Sequence, residues 1–362
     1  MRDNRMMSLL LAAAFLLTGC SENNKTSDSS NTGDISVDQT SEISRIVIDE
    51  SVTESAIPSK KLFEFEPHLY VPSLSEDIPA DYWESFYNLC DALRTGETVF
   101  ECSSQEAYNW ATNWATLNEL FPAACLRVTG ESNDGTVPFE NGTGRIYYQM
   151  PVDEFVARES EFEMLVTDII NSTVEYDDTE FEKCVKLYDY IESNYTYESY
   201  TYESEDGSHY YSLMNKRGLC AQLAGVYSYL LLEAGVEAMN VGCFDPSISH
   251  SWTYIIIDGK GYHADPTWGL KQYTGEALSL YYFMMTDERR ADSGCPVDDL
   301  NAQLLPEYWE SRSHIDFSAT DDSLSFPIQS WYERLDEENK IIYYGDSEGH
   351  ESLKYCRSWN YR

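Results

Sequence analysis

The chain has 362 residues, 42% hydrophobic and 14% aromatic, which is enough to bury a substantial core and to build two lobes. It carries 63 Asp and Glu against 24 Lys and Arg, a formal charge of −39. Such a surface repels polyanions, which excludes nonspecific nucleic-acid binding as a main role and argues against docking on anionic lipid headgroups.

At the start of the chain, Arg2 and Arg5 precede an apolar run at 6–17 that is too short to span a bilayer and has the form of a signal-peptide core. Leu17-Thr18-Gly19-Cys20 ends that run and is similar to the bacterial lipobox. The similarity implies that residues 1–19 are removed and that Cys20 is lipidated. The mature chain is then held by lipid alone on the outer face of a bacterial membrane. Residues 20–60 are rich in Ser, Thr, Asn and Asp, with one apolar break at Ile46-Val47-Ile48, and read as a solvated tether.

Residues 61–150 read as a small N-terminal α+β region. Ser103-x-x-Glu106 has capping-box spacing ahead of Ala107, Tyr108, Trp110, Ala111, Trp114, Ala115 and Leu117, which predicts one amphipathic helix. Residues 143–150 predict a strand. Two helices with clear apolar faces follow. The first carries Phe155, Phe162, Leu165, Val166, Ile169 and Ile170. The second is capped by Thr179-x-x-Glu182 and carries Phe181, Cys184, Val185, Tyr188 and Ile191. The Tyr-, Ser- and Glu-rich segment 195–211 reads as a loop, on a cleft border or plainly on the surface.

From Cys220 to Ala234 the apolar positions recur at helical spacing, and Gly235 supplies the stop. Cys220 therefore sits in the first turn, where unpaired N–H groups and the positive dipole end favour a thiolate and can donate to an oxyanion. Residues 237–244 and 251–257 predict strands. Asp258-Gly259 is a hairpin turn signal, and 261–265 returns as a third strand. A two-residue loop pairs Ile257 with Lys260, which sets Asp265 opposite Trp252 and His250 diagonal to Asp265 on the same face, about 7–8 Å away between backbones. A three-residue loop would split the two side chains between faces. Beyond Asp292 periodicity fades, and Ile341-Ile342-Tyr343-Tyr344 followed by Gly345-Asp346 predicts a closing β-hairpin in a C-terminal extension, 292–362.

Cys220, His250 and Asp265 are the set that nucleophilic catalysis by sulfur requires: a thiolate to attack, an imidazole to move the proton and a carboxylate to hold the ring's tautomer. His263 is a rival base, but it has no motif of its own and is assigned a structural role. Gln222 is expected to point away from the thiol. Trp252 and Trp268 are candidate substrate-cleft walls, or core aromatics.

From about Phe155 to Arg290 the chain resembles the transglutaminase-like superfamily, a branch of papain-like cysteine chemistry. The resemblance rests on Gly218-Leu219-Cys220-Ala221-Gln222-Leu223-Ala224, the run Leu231 to Ala238, His250-Ser251-Trp252, Asp265-Pro266-Thr267-Trp268 and the stretch Tyr282 to Arg289. It implies an α+β, papain-like catalytic domain at 151–291, with Cys220 as nucleophile, His250 as general base and acid, and Asp265 as orienting carboxylate. Ser251 stands where the family often has Ala, and Ala221-Gln222 replaces a commoner polar-Gly pair. Neither change removes a catalytic group.

Such chemistry calls for no cofactor and no metal. The chain has no Cys-x-x-Cys pair and no EF-hand-type loop. Of nine cysteines, seven remain beyond Cys20 and Cys220, enough for three disulfides in an exported protein, and Cys184 and Cys243 look buried. The first expectation is a peptidase or amidase acting on a protein or peptide substrate, cell-wall associated or otherwise. Transglutaminase crosslinking is the second. A noncatalytic binding lipoprotein that keeps the fold is the alternative from another class.

Overall fold

In the computed structural model, the described residues are 60–132, 135–198, 207–243, 249–271, 278–294, 300–305, 315–346 and 356–360. Residues 1–59, which hold the expected signal segment, Cys20 and the expected tether up to its last residue, lie outside them. Ser59–Arg362 forms one compact unit with a continuous hydrophobic core. No helix among the described residues is long and apolar enough to cross a membrane.

The N-terminal part builds α1 (Ala80–Thr95), α2 (Gln105–Ala111) and α3 (Trp114–Leu120). Its short strands are β1 (Val99–Glu101), β2 (Val128–Thr129), β3 (Phe139–Glu140), β4 (Thr143–Arg145) and β5 (Tyr147–Tyr148). The single helix expected over 107–117 is instead two. Thr112 turns its hydroxyl back onto the Tyr108 carbonyl, and Asn113 caps a new helix by accepting from Ala115 N–H at 2.8 Å. The first cap is Ser104, which accepts from Ala107 N–H, whereas Ser103 donates to Asp81. The strand expected at 143–150 also divides, because β4 pairs with β1 and β3 while β5 pairs with β2.

Two long helices then pack on the core, α4 (Val152–Thr173) and α5 (Glu180–Asn194), and the Thr179–Glu182 capping box forms as expected. A short parallel pair, β6 (Thr196–Tyr197) with β7 (Arg217–Gly218), flanks α6 (His209–Asn215). The segment expected as a loop at 195–211 is thus partly ordered into strand and helix, and its middle, 199–206, lies outside the described residues.

The central layer is α7 (Cys220–Glu233) laid on an antiparallel sheet. That sheet consists of β8 (Glu237–Cys243), β9 (His250–Ile257), β10 (Lys260–Ala264) and β11 (Leu300–Ala302), in the order β10-β9-β8-β11. The Asp258-Gly259 turn has φ of 51° and 73°, the left-handed pair that a two-residue type I′ hairpin needs, and Ile257 pairs with Lys260. Gly225 lets α7 approach α6, since a Cβ there would meet the His209 ring at 1.9 Å.

The short helix α8 (Pro266–Gly269) is capped by Asp265, and α9 (Asp287–Asp292) follows a loop. A three-stranded sheet closes the chain: β12 (Ser330–Asp336), β13 (Ile341–Asp346) and β14 (Cys356–Asn360). β13 pairs antiparallel with β12 before it, across 337–340, and with β14 after it, and Gly345-Asp346 continue the strand rather than turn. Cys90, Cys102, Cys184 and Cys243 are free and buried as small apolar groups, and Cys125 is buried as well. Among the described residues, Cys90, Cys102, Cys184 and Cys243 form none of the disulfides that an exported chain allows.

Candidate active site

Cys220 opens α7 with its side chain part-exposed, whereas His250 begins β9 and is buried. Asp265 ends the β10 arm with no exposed surface. The hairpin parity brings the last two together, with His250 Nε2 and Asp265 Oδ2 2.8 Å apart. That bond leaves Nδ1 for the thiol, and His250 and Cys220 are hydrogen-bonded. The Ser251 backbone N–H also reaches the sulfur. The three residues singled out from the sequence therefore meet at one place.

Burial by itself would raise the Cys220 pKa. The His250 hydrogen bond and charge, with the Ser251 N–H, outweigh it and set the thiol below its ordinary value. Burial likewise works against a charged His250, but the Asp265 carboxylate and then the thiolate raise the ring to about 9. Asp265 is held ionised far below the usual carboxylate range, because His250 and Arg290 overcome its desolvation. The arrangement shifts the thiol toward thiolate and the ring toward imidazolium.

Asp265 is surrounded by donors. Its Oδ1 accepts from the Thr267 and Trp268 N–H groups at 3.1 and 3.2 Å, and its Oδ2 accepts from His250 and from Arg290 Nη1 at 2.7 Å. Arg290, on α9, was not among the residues singled out. It follows Arg289 in a polar run, and no periodic pattern marks it as the inward-facing one of the two.

Trp252 is fully buried, so it is a core residue rather than a cleft wall. Its Nε1 donates to His263 Nδ1 at 3.0 Å, and the Arg290 guanidinium lies 3.7 Å from its ring centroid. Trp268 is part-exposed and stacks on the His250 ring at 4.9 Å, so it borders the site. His263 accepts from Trp252 and donates from Nε2 to Asp287 at 3.0 Å, and burial pushes its pKa down. Both its nitrogens are committed, which leaves it a neutral structural ring. Gln222 turns from the thiol as expected: it accepts from Leu219 N–H and donates to the Gly207 carbonyl.

A second polar cluster holds the start of α7. Asn240 Nδ2 donates to the Ala221 carbonyl at 3.1 Å and to Glu119 at 3.0 Å, and His209 Nε2 lies 3.5 Å from the same Glu119 oxygen. These contacts join segments far apart in the chain, so no local pattern announces them. Burial raises Glu119 to about 8 and lowers His209 to about 4, so the pair is neutral at pH 7. Near the same sheet edge, a cavity of about 620 Å³ is bordered by Tyr82, Trp110, Trp114 and Gln303. Gln303 Nε2 lies 3.4 Å from Ser251 Oγ, which ties that wall to the residue after His250. Among the described residues, no group of three or more His, Cys, Asp and Glu side chains is arranged to hold a metal ion.

Residues 167–266 match the family model of the transglutaminase-like superfamily, so the chain carries a transglutaminase-like domain that spans the candidate triad. The crystal structure of the "Putative Cysteine Protease" from Cytophaga hutchinsonii aligns at 20% identity over 30% of this chain and 37% of that one, with a TM-score of 0.24. That overlap is too small to bear on the fold. No curated protein matches.

The buried acids generate a pH prediction. Glu119 and Glu233 are both raised by burial from 4.5 to about 8, so the folded chain binds more protons than the unfolded one between those values. Their effect on stability is greatest on the acid side and is lost as pH rises through that window. Thermal melts should show stability falling from about pH 5 to about pH 8, with a shallower fall in Glu119→Gln. A flat wild-type profile, or one unchanged by the substitution, would contradict the burial of a neutral Glu119.

Proposed function

We propose that the chain is a cell-surface lipoprotein whose Cys220, His250 and Asp265 perform thiol acyl transfer on peptide or isopeptide amide bonds. Water is the usual acceptor, so the activity is that of a cysteine peptidase or amidase. The observation that supports this most is His250, which contacts the thiol and the buried Asp265 at once. The Cys220 thiolate attacks the carbonyl carbon, forming a C–S bond while the carbonyl electrons move onto oxygen. N–H groups in the first turn of α7 donate to that oxyanion. As the tetrahedral adduct collapses, the imidazolium gives its proton to the leaving amine and the C–N bond breaks. Neutral His250 then takes a proton from water, which attacks the thioester. The acid product leaves and the thiolate–imidazolium pair is restored. An amine in place of water would give transamidation by the same steps. The acidic surface suits basic protein or peptide substrates at the cell wall, and the Trp268 face and the aromatic cavity behind Ser251 offer flanking contacts.

Incubation with a mixed peptide library, with and without a fluorescent primary amine, reads cleavage and amine incorporation together. Cys220→Ala should abolish both. Asp265→Asn should lose about 10⁴-fold in rate, since the imidazole loses its tautomer and its counter-charge, and should lower stability as well, since Arg290 is left unpaired. Turnover left unchanged in Cys220→Ala would take the chemistry away from Cys220, and no turnover by the wild type would leave a binding protein that keeps the fold.

The anchor rests on Leu17-Thr18-Gly19-Cys20. Wild-type protein should sediment with membranes, and Cys20→Ser should release or misprocess it. Soluble wild-type protein with no lipid by mass spectrometry would contradict the lipoprotein assignment.

A further inference from the structure

The buried Arg290 has a role that neither the matched domain nor the triad assigns. It lies outside the 167–266 match, on α9, with no exposed surface. Burying a guanidinium is costly unless it is paired, and among the described residues this one pairs with the carboxylate of Asp265, at 2.7 Å from Oδ2. Its Nε and Nη2 have no hydrogen-bond partner among the described residues. The guanidinium instead lies against the faces of Trp252 and Trp268, 3.7 and 5.2 Å from their centroids, where the cation meets the negative π faces. Those rings also flank the His250 imidazole.

The charges can be counted. With the thiol ionised, the site holds two anions, Cys220 and Asp265, and one cation besides Arg290, the His250 ring. Without Arg290 the buried set would be one charge negative, and the neutral combination would be thiol, imidazolium and carboxylate. With Arg290 the thiolate form itself is balanced. We propose that Arg290 is a positioning residue that supplies the fourth charge of the site, so that the resting sulfur is thiolate and Asp265 stays ionised and aimed at His250. This rests on the reading of Cys220 as an activated nucleophile.

Other groups packed around the site do not provide that charge. On the α3 and α6 side, Glu119 and His209 are neutral at pH 7. On α5, burial pushes Glu192 and Tyr188 well above their ordinary values, toward their neutral forms. His263 on β10 is pushed toward the neutral form. Asp287 on α9 is part-exposed and bonded to His263, and Lys271 lies toward Asp189 and Ser193. Arg290 is the buried cation in contact with Asp265.

The test is the pH dependence of Cys220 alkylation by iodoacetamide, followed at the Cys220 peptide by mass spectrometry, in the full chain. Wild type, Arg290→Lys, Arg290→Met and Arg290→Gln are compared, each checked for fold by circular dichroism. The wild-type midpoint should lie below the ordinary thiol value of about 8.5. Arg290→Met and Arg290→Gln should shift it upward, because the charge balance that reaches the thiol through Asp265 and His250 is lost, and Arg290→Lys should stay close to wild type. If Arg290→Met does not fold, Arg290→Gln, which keeps a donor toward Asp265 without the charge, carries the comparison. A depressed wild-type midpoint that the folded neutral variants leave in place would make Arg290 structural and overturn the inference while sparing the activated thiol. An ordinary midpoint in the wild type would overturn the activated nucleophile itself, and this inference with it.

Discussion

The site depends on a single carboxylate kept ionised where no water reaches it. Asp265 is fully buried, a setting that by itself favours the neutral acid. Two backbone N–H groups, one imidazole and one guanidinium converge on its two oxygens. Charge-assisted bonds of this kind are stronger than neutral ones and fix direction as well as charge. Removing one partner of such a buried pair typically costs about 3–5 kcal/mol, because the other is left as an uncompensated ion. The orientation of His250, and through it the state of Cys220, follows from that constraint.

The fold supplies the donors from four separate places. The β9–β10 hairpin sets His250 against Asp265, and the first turn of α8 places its N–H groups over the carboxylate. Helix α9 brings Arg290 under the Trp252 ring, and Tyr188 on α5 donates to the Asp265 carbonyl at 3.1 Å. The start of α7, with Cys220, is held independently. Thr253 Oγ1 donates to the Ala224 carbonyl at 3.0 Å, and Asn240 to that of Ala221, so α7 is tied to the sheet on which His250 lies. The close approach of His209 to Gly225 allows no sliding along that helix without steric cost.

How much of this was legible in the sequence depended on the range of the interaction that decides it. Hairpin parity is local: Asp258-Gly259 demands two left-handed residues, and counting outward from them puts His250 and Asp265 on one face. The Thr179–Glu182 cap and the apolar period of α7 are local in the same sense. Arg290 reaches Asp265 from 25 residues away and Glu119 reaches Asn240 from 121, and each looks like an ordinary surface charge until the chain is folded. The break between α2 and α3 was missed for another reason. Apolar residues continue across Thr112 and Asn113, while the side-chain bonds of those two residues stop the helix. Gly345 was misread as a turn because its place in the strand depends on pairing with Trp331 and Cys356.

The central claim is that His250 rests as an imidazolium between a thiolate and a carboxylate. Nitrogen-15 NMR of the histidine ring nitrogens, followed as pH is raised, reads that state directly. The account predicts that both nitrogens of His250 stay protonated through neutral pH and that the ring titrates near 9. A ring that is neutral at pH 7, titrating near the ordinary histidine value of about 6.5, would contradict it.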